Sequence, residues 1–434
     1  MGCRPSTSNE SAAQRLTRSR PLPMNVELEE PNVAGRLGRR TTLLMAIGCG
    51  VTVANLHYVQ PLLPQIARDL HVAEGGVAHI PALPQVGYAL GLLLIAPLGD
   101  MVERRGLVIV MLAAVIVSLV GMAVAPTLGL LALASFLLGV TTITPQLLLP
   151  FAAHLAPPGE RGRVVGAVQG GLLIGVLLSR TVSGLVGHYL GWRAMYGIAA
   201  GLTILLLAVL RRALPSDKSD TGLTYPRLIG SLWEMVRAEP ALRQACLFGS
   251  ATFGVFLAFW STLAFHLAEP PFRYGSEIVG LFGLVGVVGV LAASWVGKLA
   301  DRSDSRSTAV LGLVLMLASF FELWIGSHRL WGIVAGVLLL DLGMQMTHVS
   351  NQARIYALRP DARNRLNTIY MVSCCVGAGV GSILGGFAWS RWGWGGVCAV
   401  CGLQLAVPLL VFARGLIRRT EGESAPEGVL PEPG

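Results

Sequence analysis

The chain has 434 residues, 53% of them apolar and only 13% charged, with a formal net charge of +9. Soluble domains carry roughly a quarter charged residues, so a soluble multi-domain protein is excluded. Apolar runs of about eighteen residues or more recur along most of the length, as transmembrane helices require.

Residues 1–40 are polar, with scattered Ser, Arg and Pro, and are expected to form a disordered cytoplasmic tail. Twelve spans are predicted at about 41–64, 79–98, 107–125, 128–150, 164–189, 194–212, 243–267, 278–297, 308–326, 331–353, 366–388 and 395–414. The expected fold class is an all-α integral membrane protein. A six-helix half at 41–212 is joined by a linker, 213–240, to a second half at 241–416. The linker carries LIGSLWEMVRAEP, which reads as a short amphipathic helix, and the acidic, Pro-rich tail 417–434 reads as disordered.

The positive charge follows the spans. Of 33 Lys and Arg, 27 lie on the side of the termini, 5 in the loops of the other side, and Arg180 is the one left. Basic loops stay inside, so both termini are expected in the cytoplasm and the charge marks topology rather than nucleic acid. Seven cysteines, six of them at or within predicted spans, form no disulfide or metal framework, and no cofactor is expected.

The chain also repeats itself. PLGDMVERRG (97–106) follows span 2 and GKLADRSDSR (297–306) follows span 8, with Asp100 and Asp301 at matching places. Pro158, Arg161, Arg163, Gly184, Gly191 and Trp192 recur 202 residues later as Pro360, Arg363, Arg365, Gly386, Gly393 and Trp394. Two parallel six-helix halves are the build of transporters that rock about a central site.

On these features the chain resembles the major facilitator superfamily over about 41–416, and its bacterial drug:proton antiporter branch most. Leu98, Asp100, Arg104 and Arg105 fit the family's loop pattern, while Ala96 and Glu103 stand where it has glycine. The second copy fits with Gly297, Leu299, Asp301, Arg302 and Arg306. The resemblance implies a cytoplasmic latch, with Asp100 facing the amide end of span 11 near Leu366. It also implies alternating access. Three features depart from the branch. Ser135 replaces an expected arginine, Ser179 and Arg180 replace a Gly-Pro pair, and span 1 has no carboxylate.

Ionisable groups inside a span are costly and usually functional. Within the predicted spans the acids are Glu322 and Asp341, and Arg180 is the deep base. Glu322 is near a span end and can reach the interface. Asp341 is mid-span, and Gln345 and His348 share its helical face. Pairing of Arg180 with Asp341 in at least one state is expected, with Asp341 as the proton-responsive group. Asn55, His57 and Gln60 on span 1, Thr142 and Gln146 on span 4, and Phe253, Phe256 and Trp260 on span 7 are further cavity candidates. The rows Gly171/Gly175 and Gly377/Gly381/Gly385 read as close helix contacts.

The expected activity is secondary transport of a small organic molecule by alternating access, as proton-coupled efflux across the cytoplasmic membrane. Uptake, another coupling ion and a non-transporting receptor on the same fold are the alternatives. No enzymatic constellation is present in the sequence. The partners expected are lipid, substrate and protons, and the chain is expected to act as a monomer.

Overall fold

The computed structural model of the protein describes residues 38–157, 159–216, 225–286, 305–359 and 362–423, together with Gly2. The described residues are helical throughout, with short turns between. The helices are α1 (Arg39–Ala54), α2 (Leu63–Asp69), α3 (Glu74–Val77), α4 (Ala82–Leu94), α5 (Arg104–Ala123), α6 (Leu128–Thr141) and α7 (Thr144–Leu155). They continue with α8 (Arg161–Leu190), α9 (Trp192–Ala213), α10 (Tyr225–Ala238), α11 (Pro240–Ala268) and α12 (Ser276–Gly286). The last are α13 (Ser305–Ile325), α14 (Leu330–Leu358) and α15 (Arg363–Glu423). Among the described residues nine helical stretches are long and apolar enough to cross a membrane. The long stretch α15 covers predicted spans 11 and 12, and the second half of span 8 lies outside the described residues.

Several boundaries depart from the expected ones, two of them for a local reason. Span 1 is not continuous. After Ala54 the chain tightens into three-residue turns, and Gln60–Leu62 is a 3-10 helix. Pro61 and Pro64 have no N–H to offer the carbonyls of His57 and Gln60, so the α-helical ladder cannot run through. Span 4 divides between α6 and α7 just before Pro145 for the same reason. Helix α15 runs to Glu423, past the expected end at 416, and carries Pro408 within it. The amphipathic linker helix is present as α10, and residues 217–224 of the linker, 3–37 of the N-terminal tail and 424–434 of the C-terminal tail lie outside the described residues.

The repeat recognised in the sequence has a backbone meaning. Gly191 ends α8 at φ 83°, and Gly393 breaks α15 at φ 63°. Both are left-handed positions that favour glycine. Each is followed by a tryptophan that anchors the new helix. Trp192 donates Nε1–H to Asp69 at 2.8 Å, and Trp394 donates to the Leu323 carbonyl at 2.9 Å.

Helix α1 packs on α8, and α11 on α15, both through glycine rows. Gly171 and Gly175 lie against the backbone of Ala46 and Gly50, and Gly377 and Gly381 lie against Ser250 and Gly254. A methyl group at any of these four would overlap backbone atoms. The first set of helices, α1–α9, meets the second, α11–α15, at several places, including α2 and the Gln60–Leu62 turn on α11 and α3 on α15. Helix α4 packs on α15, and α8 packs on α12, where Gly184 meets Gly280.

The cores are distributed unevenly. At the face away from the chain termini, one buried cluster runs through both sets, from Leu62, Leu63 and Ile66 to Phe259, Trp260 and Phe265. At the face carrying Arg104, Arg161 and Arg363, here called the basic face, there are two smaller clusters. One centres on Met45, Leu148 and Phe151 and takes in Cys375 of α15, and the other, from the second set and α10, centres on Leu242, Leu366 and Tyr370.

Candidate functional site

The single deep base sits between the two sets. Arg180 is 2% exposed and lies ten residues before the end of α8 at Leu190. Asp341 is 7% exposed and lies eleven residues into α14 from Leu330. At 1.5 Å per residue they are about 15 Å and about 17 Å below the far face, at closely matched depth. Each belongs to a different set of helices.

Arg180 is held by two partners from two other elements. Its Nε donates to Gln60 Oε1 at 2.6 Å, a contact made possible by the break after α1 that turns Gln60 inward. Its guanidinium carbon lies 4.1 Å from the centroid of the Trp260 ring and 5.6 Å from that of Phe256. The negative face of an aromatic ring attracts a cation, and more so where water is absent. The aromatic stripe on α11 therefore does more than fill space.

Arg180 and Asp341 act on each other electrostatically without ion-pair contact in this conformation. The Nη2 of Arg180 and the Oδ2 of Asp341 are both buried without a hydrogen-bond partner. Glycines of α12 lie beside the two groups. Gly283 packs on the Cβ of Arg180, and Gly286 faces the Asp341 carboxylate. Nothing larger than glycine fits at Gly286 without displacing that carboxylate.

The other candidates divide by location. His57 lies close enough to Arg180 for their charges to interact, and its Nδ1 donates to the Val53 carbonyl at 3.2 Å. Asn55 is buried with both amide atoms unpartnered. Thr142 gives its hydroxyl to the Leu138 carbonyl of its own helix at 2.6 Å, so it serves the kink rather than a cavity. Gln146 donates to Tyr88 at 3.1 Å. His348 shares a 3.1 Å hydrogen bond with the Tyr370 hydroxyl and meets Phe253 edge-on. Gln345 is half-buried on the same helix. Glu322 is half-buried one turn from the end of α13, and the described bonds of the Arg180 cluster do not include it.

The basic face carries an opening between the sets, a cavity of about 110 Å³. Gly99, Arg104, Gln146 and Pro150 line it from one side, and Asn364, Arg365 and Thr368 from the other. Of the expected latch residues, Arg104 donates to the Gly99 carbonyl at 3.1 Å beside this opening. Arg105 donates to the Arg211 carbonyl at 2.5 Å, at the end of α9 and so within its own set. Arg306 starts α13 and lies 4.7 Å from the Phe412 ring centroid. Asp301, Arg302 and the side chain of Asp100 lie outside the described residues.

The far face is closed by bonds across the sets. Gln65 donates to Ser276 at 3.0 Å, Ser276 to the Gly184 carbonyl at 3.0 Å, and Thr181 to the Gly280 carbonyl at 2.9 Å. His188 and Glu277 lie 2.7 Å apart, and Trp389 donates to Glu74 at 3.2 Å. Sequence reasoning missed these groups. The signal available was GLFGLVG, which places Gly280, Gly283 and Gly286 along one helical stripe opposite Gly184.

A family model described as Major Facilitator Superfamily matches residues 42–323 and 290–432. The chain belongs to the major facilitator superfamily. It is 41% identical over 377 residues to the uncharacterized transporter YgaY of Escherichia coli O157:H7, covering 87% of this chain and 96% of that one. It is 34% identical over 384 residues to the "Probable transporter SCO4007" of Streptomyces coelicolor, covering 87% and 89%. Among solved structures, a bacterial homolog of the human lysosomal transporter Spinster superposes with a TM-score of 0.68 at 14% identity, covering 86% of this chain and 93% of that one. The protein is therefore a multi-pass membrane transporter of this superfamily and not an enzyme.

Proposed function

We propose that this member of the superfamily is a proton-coupled exporter of a small organic molecule, akin to the drug:proton antiporters. The observation that carries the reading is the buried couple Arg180 and Asp341, on different sets of helices at one depth, each with an unpartnered atom. A charge at the bilayer centre costs about 2.5–3.5 kcal/mol or more, so such a couple is favoured only where it pairs, titrates or meets a ligand. Protonation of Asp341 removes the charge that Arg180 feels, and gives the two sets a reason to repack. The 27-to-5 split of basic residues supports a cytoplasmic basic face, both termini inside, and location in the cytoplasmic membrane. With the far face sealed, the cavity between Gln146 and Thr368 then opens to the cytoplasm, where an exporter loads.

Inside-out vesicles with an acid interior test this. Screened against metabolites and antibiotics, at least one compound should accumulate and discharge the pH gradient. Accumulation that ignores the gradient, or runs against it, would contradict the reading.

A further inference from the structure

We infer that the substrate is a zwitterion. Its carboxylate is held by Arg180, Gln60 and Trp260, and its ammonium by Asp341. This deepens the proposed function and rests on it, since it takes the Arg180 cluster as the transport site.

Four buried polar atoms in and beside the cluster have no partner: Nη2 of Arg180, Nε2 of Gln60, Nε1 of Trp260 and Oδ2 of Asp341. Their residues are 2%, 1%, 1% and 7% exposed. Buried polar groups in native proteins are nearly all hydrogen-bonded, and a group of orphans calls for an occupant. Three of the four are donors, on residues in direct contact, since Arg180 bonds Gln60 and lies over the Trp260 ring. The amide of Gln60 is oriented by its own bond, because Oε1 accepts from Arg180 Nε and Nε2 is left to donate. The guanidinium carbon lies over the Trp260 ring, and Nη2 is left unpartnered. An edge of guanidinium with two flanking N–H donors is a carboxylate receptor.

The fourth orphan is an acceptor from the other set of helices, and it decides the ligand's net charge. A simple anion at Arg180 would leave Asp341 unpartnered and facing a like charge. A simple cation at Asp341 would do the same to Arg180. A neutral molecule could bond to both but would offset neither charge. A zwitterion partners both, and a site holding one Arg and one Asp stays neutral with it bound. The wall beside the guanidinium is aromatic, from Phe256 and Trp260, so the ligand's third substituent is apolar. Apolar amino acids have this chemistry.

The arrangement also supplies the exchange. Proton and ammonium compete for one carboxylate, so protonation of Asp341 expels the substrate and substrate binding expels the proton. The charged group that Asp341 feels is Arg180 from α8; His57, in the turn after α1, interacts with Arg180, and His348 lies two turns further along α14. In its described part, α12 presents glycine to Asp341. The four atoms are shut from solvent in this conformation, so loading requires the two sets to part.

The test is equilibrium binding to the purified full chain in detergent, with no gradient, so it is indifferent to direction and coupling. The probes are L-leucine, L-methionine, L-phenylalanine and L-tryptophan, each beside its methyl ester and its N-acetyl derivative. At least one amino acid should raise the melting temperature and bind by calorimetry, with its ester and N-acetyl forms at least about tenfold weaker. Trp260→Phe keeps the ring and removes the donor, and should weaken the amino acid several-fold. Asp341→Asn should abolish the preference for the amino acid over its N-acetyl form. If a variant does not fold, the three ligand forms on the unaltered protein still decide. Equal binding of the N-acetyl form or the ester, or no binding by any of the four at about 10 mM, overturns the inference. Transport of some other compound down the pH gradient would then leave the exporter reading intact.

Discussion

The two faces of the protein are built on the same helices but packed differently. At the far face a single core joins both sets, and bonds from Gln65, Ser276, Thr181 and Glu74 cross between them. At the basic face the core is divided into two smaller clusters, joined across the sets only at Cys375 and its neighbours Met371 and Val372, and a cavity opens between the sets. Where α8 meets α12 the far seal is made of small residues and hydroxyls, and backbones touch. Beside it lies the shared apolar core of Leu62, Ile66, Phe259 and Phe265, so opening that face also exposes large apolar side chains. The contrast is that of a closed gate and an open one, and Arg180 and Asp341 lie between them.

The largest effect is expected at that couple. Asp341→Asn leaves Arg180 with no counter-charge nearby, and should lower stability by about 3–5 kcal/mol and abolish pH-dependent transport. Arg180→Ala should be milder for folding, since an orphaned Asp341 can take up a proton. The double variant should be more stable than Asp341→Asn alone. A double-mutant cycle on extracted protein measures this, and additivity within about 0.5 kcal/mol would mean the two groups do not couple.

The far seal is the next place to break the contrast. Gly184→Val drives a side chain into Ser276 and Gly280 of α12. Overpacking of this kind costs about 1–3 kcal/mol, here taken from the sealed state alone. Thiol reagents applied at the far face should then label a cysteine placed at Thr181, which the unaltered background protects. Protection unchanged by Gly184→Val would show that this contact is not the seal.

At the basic face, Asp100→Asn should slow transport several-fold with normal folded yield, since a latch acts only when that gate closes. Normal turnover would remove the latch. The smallest effect is expected at His188 and Glu277. Their side chains are 44% and 25% exposed, and exposed pairs contribute at most about 1 kcal/mol. Glu277→Gln should change the melting temperature little, and a large loss would mean the rim pair carries the seal.

Much of this was legible in the sequence, and the reason is physical. Bilayer thickness sets span length, so the apolar runs mark the helices. Loop charge is read by the membrane, so an expected topology follows from a count. The repeat paired Gly191 with Gly393, and both have left-handed backbone where one helix gives way to the next. Scarcity pointed to Arg180 and Asp341. What was hidden depends on three dimensions. Gln60 reaches Arg180 only because Pro61 and Pro64 break span 1, and the two prolines were visible but their consequence was not drawn. Trp260 was a cavity candidate from its stripe alone, and a stripe on α11 does not reveal that Arg180 lies across from it. Thr142 read as a cavity residue, although its hydroxyl turns back onto its own helix. Of the far-face bonds, two go to backbone carbonyls and three join side chains far apart in the sequence, so no local pattern announces them.

The central claim is that the two gates exchange places, and that Asp341 sets which one is shut. Paired spin labels measure it directly, in a cysteine-free background. One pair, Gly75 with Ser390, spans the far seal, and another, Pro150 with Thr368, spans the basic-face cavity. Between about pH 8 and about pH 5 one distance should lengthen as the other shortens, and Asp341→Asn should hold both distances fixed. Distances that ignore pH in the unaltered protein, or that lengthen and shorten together, would contradict the account.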